Sequence, residues 1–168
     1  AQTAWGDTRP DYNRPEVRQY IRDNAMYWLE DVRLDGLRWD STSTMRLGPW
    51  GDLPEGWSLM QWCNDEVDAY QGWKINIAED MYGAPNDWIT KDTGAGGAGF
   101  DSQWDAMFVH PLRAALVSPA DPDRSMWDVR NAILQNYNGD AFERVIYTES
   151  HDEVANGRSR GPEEIWPG

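Results

Sequence analysis

A chain of 168 residues is long enough for one ordinary domain, and a hydrophobic fraction of 40 % is too high for a disordered acidic chain. Its 15 lysines and arginines against 29 acidic residues leave a formal charge of −14, which would repel phosphate-rich partners. Nucleic acid and anionic membrane surfaces are therefore disfavoured as partners, and a soluble enzyme with a neutral substrate suits this balance.

The single cysteine, Cys63, rules out an internal disulfide and is expected to be buried as a small apolar side chain. No cysteine–histidine cluster suggests zinc. The N-terminus lacks the basic and apolar regions of a signal peptide, and no run approaches the roughly 20 apolar residues that span a bilayer. The expected location is cytoplasmic. Absence of an initiator methionine suggests a true start upstream. Tryptophan is over-used, with 11 residues. Such rings fill cores, and they also make flat apolar platforms for sugar rings; both roles are compatible.

In chain order, residues 13–32 read as an amphipathic helix. Asn13 is placed as N-cap, Pro15 in the first turn, and Val17, Ile21, Ala25, Trp28, Leu29 and Val32 lie on one face. Residues 33–40 form a brief strand. The Gly- and Pro-rich stretch 46–56 is expected to be loop. A second helix covers residues 57–70, with Leu59, Cys63, Val67 and Tyr70 on one face. A strand follows over 73–78, then a flexible loop through the glycines of 94–99, and a weaker strand at 100–104. Helices are expected at 106–117 and 126–137, the second capped by Ser125. A last strand spans 144–148. His110 precedes a proline in a helical stretch and reads as structural.

This alternation describes parallel βα units, an α/β chain. No glycine fingerprint for a dinucleotide follows any strand. What recurs is a carboxylate at a strand's C-terminal end, at Asp40, Glu79 and Asp152, where (β/α)₈ barrels carry their chemistry. Cleaving a glycosidic bond needs two carboxyl groups in different protonation states flanking it. If the strands ending at Asp40 and Glu79 are neighbours, about 4.8 Å apart, their carboxylates approach the ~5–5.5 Å of a retaining mechanism. Acids at strand ends also serve as solvated helix caps, so position alone leaves both readings open.

The flanking residues carry a resemblance. Asp35-Gly36-Leu37-Arg38-Trp39-Asp40 resembles the fourth-strand motif of the alpha-amylase family (glycoside hydrolase family 13), Ile77-Ala78-Glu79-Asp80 its fifth-strand motif, and Ser150-His151-Asp152-Glu153 its seventh. The resemblance implies a (β/α)₈ TIM barrel, incomplete here, with strands four to seven of one catalytic domain across residues 1–168. It implies Asp40 as nucleophile, Glu79 as general acid and base, and Asp152 as stabiliser of the distorted sugar. Arg38 would lie beside Asp40, and His151 would bind a sugar hydroxyl. No metal or organic cofactor is implied.

Within the family, Tyr12-Asn13-Arg14-Pro15-Glu16-Val17-Arg18 looks like the third barrel helix of branching enzymes, and Gly97-Ala98-Gly99-Phe100 with Trp104 resembles their sixth-strand region. Ser41-Thr42 stands where the family usually has a small apolar pair. The implied reaction is cleavage of an α-1,4 bond in a glucan (glycogen, amylose or maltooligosaccharide) and transfer to a 6-hydroxyl. Trehalose-releasing hydrolases share much of the pattern, and a truncated glucan-binding half-barrel is a further alternative. A half-barrel would be expected to need the remainder of the parent barrel for stability or activity.

Overall fold

A computed structural model describes residues 3, 6, 9–81, 87–155, 160 and 161. The chain divides into two compact units, Ala1–Trp104 and Asp105–Gly168. The architecture is mixed α/β with a parallel sheet.

In the first unit, helix α1 (Pro15–Glu30) starts with proline in its first turn, where a missing N–H costs nothing. Asn13 is not its cap. Arg14 occupies that position without a side-chain cap bond, while the Asn13 N–H donates to Asp11 Oδ1 at 3.2 Å. Ala25, Met26 and Leu29 are buried, but Trp28 is partly exposed and Val32 lies past the helix end. There Arg33, at φ 63°, turns the chain toward the sheet.

Strands β1 (Gly36–Trp39), β4 (Ile75–Ala78) and β5 (Ser102–Trp104) lie side by side and parallel in that order. The β1–β4 register pairs Gly36 with Ile75 and Trp39 with Ala78. A Cβ at Gly36 would lie 2.2 Å from the Ile75 carbonyl oxygen, so only glycine permits this approach.

The stretch expected to be loop after residue 46 is more regular than its composition suggests. Helix α2 (Thr42–Arg46) leads into a hairpin of β2 (Leu47–Gly48) and β3 (Gly51–Asp52), joined by the two residues Pro49 and Trp50. Helix α3 (Pro54–Gln71) begins immediately afterwards, again with proline in its first turn. It buries Leu59, Met60, Cys63 and Val67; Tyr70, expected on that face, is 42 % exposed. The main core joins Met45, Leu59, Met60, Cys63, Ala78, Ile89 and Phe100, and a smaller one joins Met26, Leu29 and Val67.

The glycines of 94–99 do not make a flexible loop. A 3₁₀ turn (Thr93–Ala95) begins it, and Gly97 and Ala98 are buried. Side chains of α3 sew it down: Gln61 Nε2 donates to the Gly97 carbonyl and Asn64 Nδ2 to that of Ala98, each at 2.7 Å. A Cβ at Gly97 would meet the Lys91 carbonyl oxygen at 1.9 Å. Glycine is needed here for close approach.

In the second unit, helix α4 (Ala106–Val117) is capped by Asp105, whose Oδ1 accepts the Met107 N–H at 2.9 Å. Ser125 caps α5 (Met126–Leu134) through the Asp128 N–H, as its sequence suggests. This helix stops before the expected Tyr137, because residues 137–140 form a tight turn with Asn138 and Gly139 both at positive φ. Strand β6 (Arg144–Val145) is shorter than the expected 144–148, and helix α6 (His151–Ala155) follows. No helix among the described residues is long and apolar enough to cross a membrane.

Candidate active site

Because β1 and β4 are paired with Trp39 opposite Ala78, the next residues, Asp40 and Glu79, leave adjacent strands at the same level. Arg38 joins them. Its Nη1 donates to Asp40 Oδ1 at 2.5 Å, and its Nη2 lies 3.0 Å from Glu79 Oε2. A planar guanidinium offers donors in a fixed fork, so one side chain orients both carboxylates. The Arg38 guanidinium also lies 4.1 Å from the centre of the Trp104 ring, which closes the far side with a cation–π contact.

The two acids differ in environment. The Asp40 side chain is 75 % exposed and Glu79 only 16 %. Glu79 Oε2 also accepts the Ser41 N–H at 2.7 Å. That bond requires Ser41 to adopt φ 46°, ψ 50°, a left-handed conformation costing about 1–2 kcal/mol for a residue with a Cβ. Such strain persists only where its surroundings hold it.

Behind Glu79 lies a second layer that sequence reasoning missed. The Thr42 N–H donates to the Glu79 carbonyl at 2.9 Å, and the Thr42 hydroxyl is 3.0 Å from the same oxygen. Asp80, its side chain 1 % exposed, receives Nε and Nη2 of Arg46, both at 2.8 Å. Donating to this carboxylate holds the Arg46 guanidinium above its ordinary pKa. The substituted pair Ser41-Thr42 therefore has a structural role: its amides and the Thr42 hydroxyl bind the backbone and side chain of Glu79. The only sequence signal was adjacency, Asp80 beside Glu79 and Arg46 one short helix after Asp40.

His151 and Asp152 lie in the second unit, in the first turn of α6. His151 Nε2 is 3.3 Å from Asp152 Oδ2, and both side chains are substantially exposed. His110, also in this unit, places Nδ1 3.8 Å from Glu153 Oε1. Among the described residues no group of three or more histidine, cysteine or acidic side chains is arranged to hold a metal. The structure thus gathers Arg38, Asp40 and Glu79 in the first unit, and His151 with Asp152 in the second.

No family model matches the chain. It is 30 % identical to the 1,4-alpha-glucan branching enzyme GlgB of Geobacillus stearothermophilus over 159 residues, covering 92 % of this chain and 24 % of that protein. Against the enzyme of the same name from Mycobacterium ulcerans the identity is 27 % over 176 residues, covering 94 % and 23 %. Against GlgB 2 of Clostridium perfringens it is 28 % over 180 residues, covering 96 % and 26 %. The chain is similar to these branching enzymes along almost its whole length and spans about a quarter of theirs.

Proposed function

We propose that this chain carries the catalytic centre of a retaining α-glucan transglycosidase of the alpha-amylase family, acting as a 1,4-α-glucan branching enzyme. In this reading β1, β4, β5 and β6 are the fourth to seventh strands of one (β/α)₈ domain in a cytoplasmic protein. The observation that carries it is the single guanidinium of Arg38 shared by Asp40 and Glu79 at the ends of paired parallel strands.

Exposed Asp40 attacks the anomeric carbon and forms the glycosyl-enzyme ester, while Glu79 protonates the departing glycosidic oxygen. Glu79, now a carboxylate, then removes the proton from the 6-hydroxyl of an acceptor glucan, which displaces Asp40. Two displacements at the same carbon retain its configuration. His151 and Asp152 bind sugar hydroxyls, and Asp152 stabilises the flattened, oxocarbenium-like ring. The sequence resemblance and the similarity to the branching enzymes support the acceptor assignment.

The test is to incubate the longest protein encoded in frame with this chain with amylose, following reducing ends and new 1,6-branches, with Asp40→Ala as control. Branches that disappear in the variant are expected. Reducing ends without branches would move the assignment to a hydrolase such as a trehalose-releasing enzyme. Unchanged activity in Asp40→Ala would remove the catalytic reading.

A further inference from the structure

Helix α6 carries His151 and Asp152 in its first turn, yet a helix of five residues is too short to hold itself in place. What holds it lies on α4 of the same unit. Arg113, a buried cation on that helix, places Nη1 3.5 Å from Glu149 Oε1 and Nε 3.9 Å from Glu153 Oε2. His110, three residues earlier and so on the same face of α4, places Nδ1 3.8 Å from the other oxygen of Glu153.

The two carboxylates bracket the candidate sugar-binding pair. Glu149 lies just before α6 and Glu153 within it, with His151 and Asp152 between them. Successive helical residues point about 100° apart, so Glu153 is buried while the side chains of His151 and Asp152 stay exposed. Two further bonds tie the turn down. Glu149 Oε1 also accepts the Gly161 N–H from the chain beyond α6, and the Ser150 hydroxyl oxygen accepts the Glu153 N–H at 3.4 Å.

A buried carboxylate needs a cation, and any cation at position 113 would meet that need. An arginine adds geometry. Its nitrogens are fixed in one plane, so holding Glu149 and Glu153 with different nitrogens of one guanidinium sets their separation and direction. The path of the chain between them is then fixed as well. We propose that Arg113 is a positioning residue for His151 and Asp152, acting through Glu149 and Glu153. That His151 and Asp152 hold a sugar rests on the function proposed above.

The test is Arg113→Lys in the longest protein encoded in frame with this chain, because an ammonium keeps the charge and loses the planar fork. Its Tm should stay close to that of the wild type. Its kcat for branch formation on amylose should fall about tenfold or more, while KM changes less than about twofold. In ¹³C-histidine-labelled protein, the ring signal assigned to His151 by His151→Gln should move. The neutral pair Arg113→Met with Glu153→Gln, which removes both buried charges together, should reproduce the loss of kcat and the moved signal, and it replaces the lysine variant if that unfolds. Wild-type kcat in a folded variant, a loss of activity that only follows a loss of Tm, or an unmoved His151 signal would each overturn the positioning role. A moved signal in a protein without glucan transfer removes the catalytic reading and keeps the bracket. Glucan transfer with an unmoved signal removes the bracket alone.

Discussion

The two units are stabilised by different means. The first has a continuous apolar core in which Leu59, Met60, Cys63, Ala78 and Phe100 are almost completely buried. The second is organised around one buried carboxylate. Asp105, 0 % exposed, accepts from the Met107 N–H, from the Tyr137 hydroxyl at 3.3 Å and from Arg144 Nη1 at 3.2 Å. Arg144 extends the network to the carbonyls of Ala132 and Ile133. Trp127, Ile133, Leu134 and Phe142 of that unit remain more than half exposed. The first unit can lose one methylene and keep its fold. A polar hub concentrates the risk in a single residue, because each partner it loses becomes an unsatisfied buried group.

The sharpest way to break this contrast is Asp105→Ala. It leaves the Arg144 guanidinium uncompensated and should cost about 3–5 kcal/mol. Hydrogen exchange should show α4 and α5 losing protection while α3 keeps it. Arg46→Met should come next, at about 3 kcal/mol, since it strands the Asp80 carboxylate. Denaturant unfolding measures that cost, and glucan transfer should fall even at temperatures where the variant is folded. Leu59→Ala should cost about 2–5 kcal/mol by opening a cavity in the main core, with an unchanged m-value.

Smaller effects refine the comparison. Burial pushes the Cys63 thiol from 9.0 up to about 12, so its thiolate population is about a thousandfold below that of an exposed cysteine. Labelling at pH 8 should therefore report unfolding of the first unit and not direct attack on the native state. The smallest effect concerns Glu66, whose carboxyl is held below the ordinary 4.5 by hydrogen bonds from Arg22. A depressed carboxyl stabilises the fold above the unfolded pKa and loses that contribution as pH falls through the folded one. Glu66→Gln should thus lower stability at pH 7 by less than about 1 kcal/mol and by nothing near pH 2, because the pair is partly exposed.

Much of the local structure was legible. Pro15 starts a helix because a first-turn proline sacrifices no hydrogen bond, and Ser125 caps α5 because its hydroxyl reaches an unpaired amide. The errors have physical causes. Composition around residues 46–56 suggested loop, yet two residue pairs suffice for a hairpin. Glycines at 94–99 suggested mobility, whereas Gly97 answers a close contact with Lys91, and Gly99 one with Thr93 and Asn64, that sequence cannot display. Trp28 and Val32 fit the helical period, but Trp28 lies outside the buried arc of Ala25, Met26 and Leu29, and Val32 falls beyond the end of the helix.

For the candidate site, the residues themselves determined which groups stand at the strand ends: Asp40 and Glu79 directly follow short strands, with Arg38 inside the first of them. Only the tertiary structure decided that those strands are neighbours in a register that lets one guanidinium reach both acids. It alone joined Arg46 to Asp80 across 34 residues of chain and seated Thr42 on the Glu79 carbonyl. Side-chain type is written locally, but which charges share a partner depends on pairing between distant segments, and that is settled by packing the whole unit.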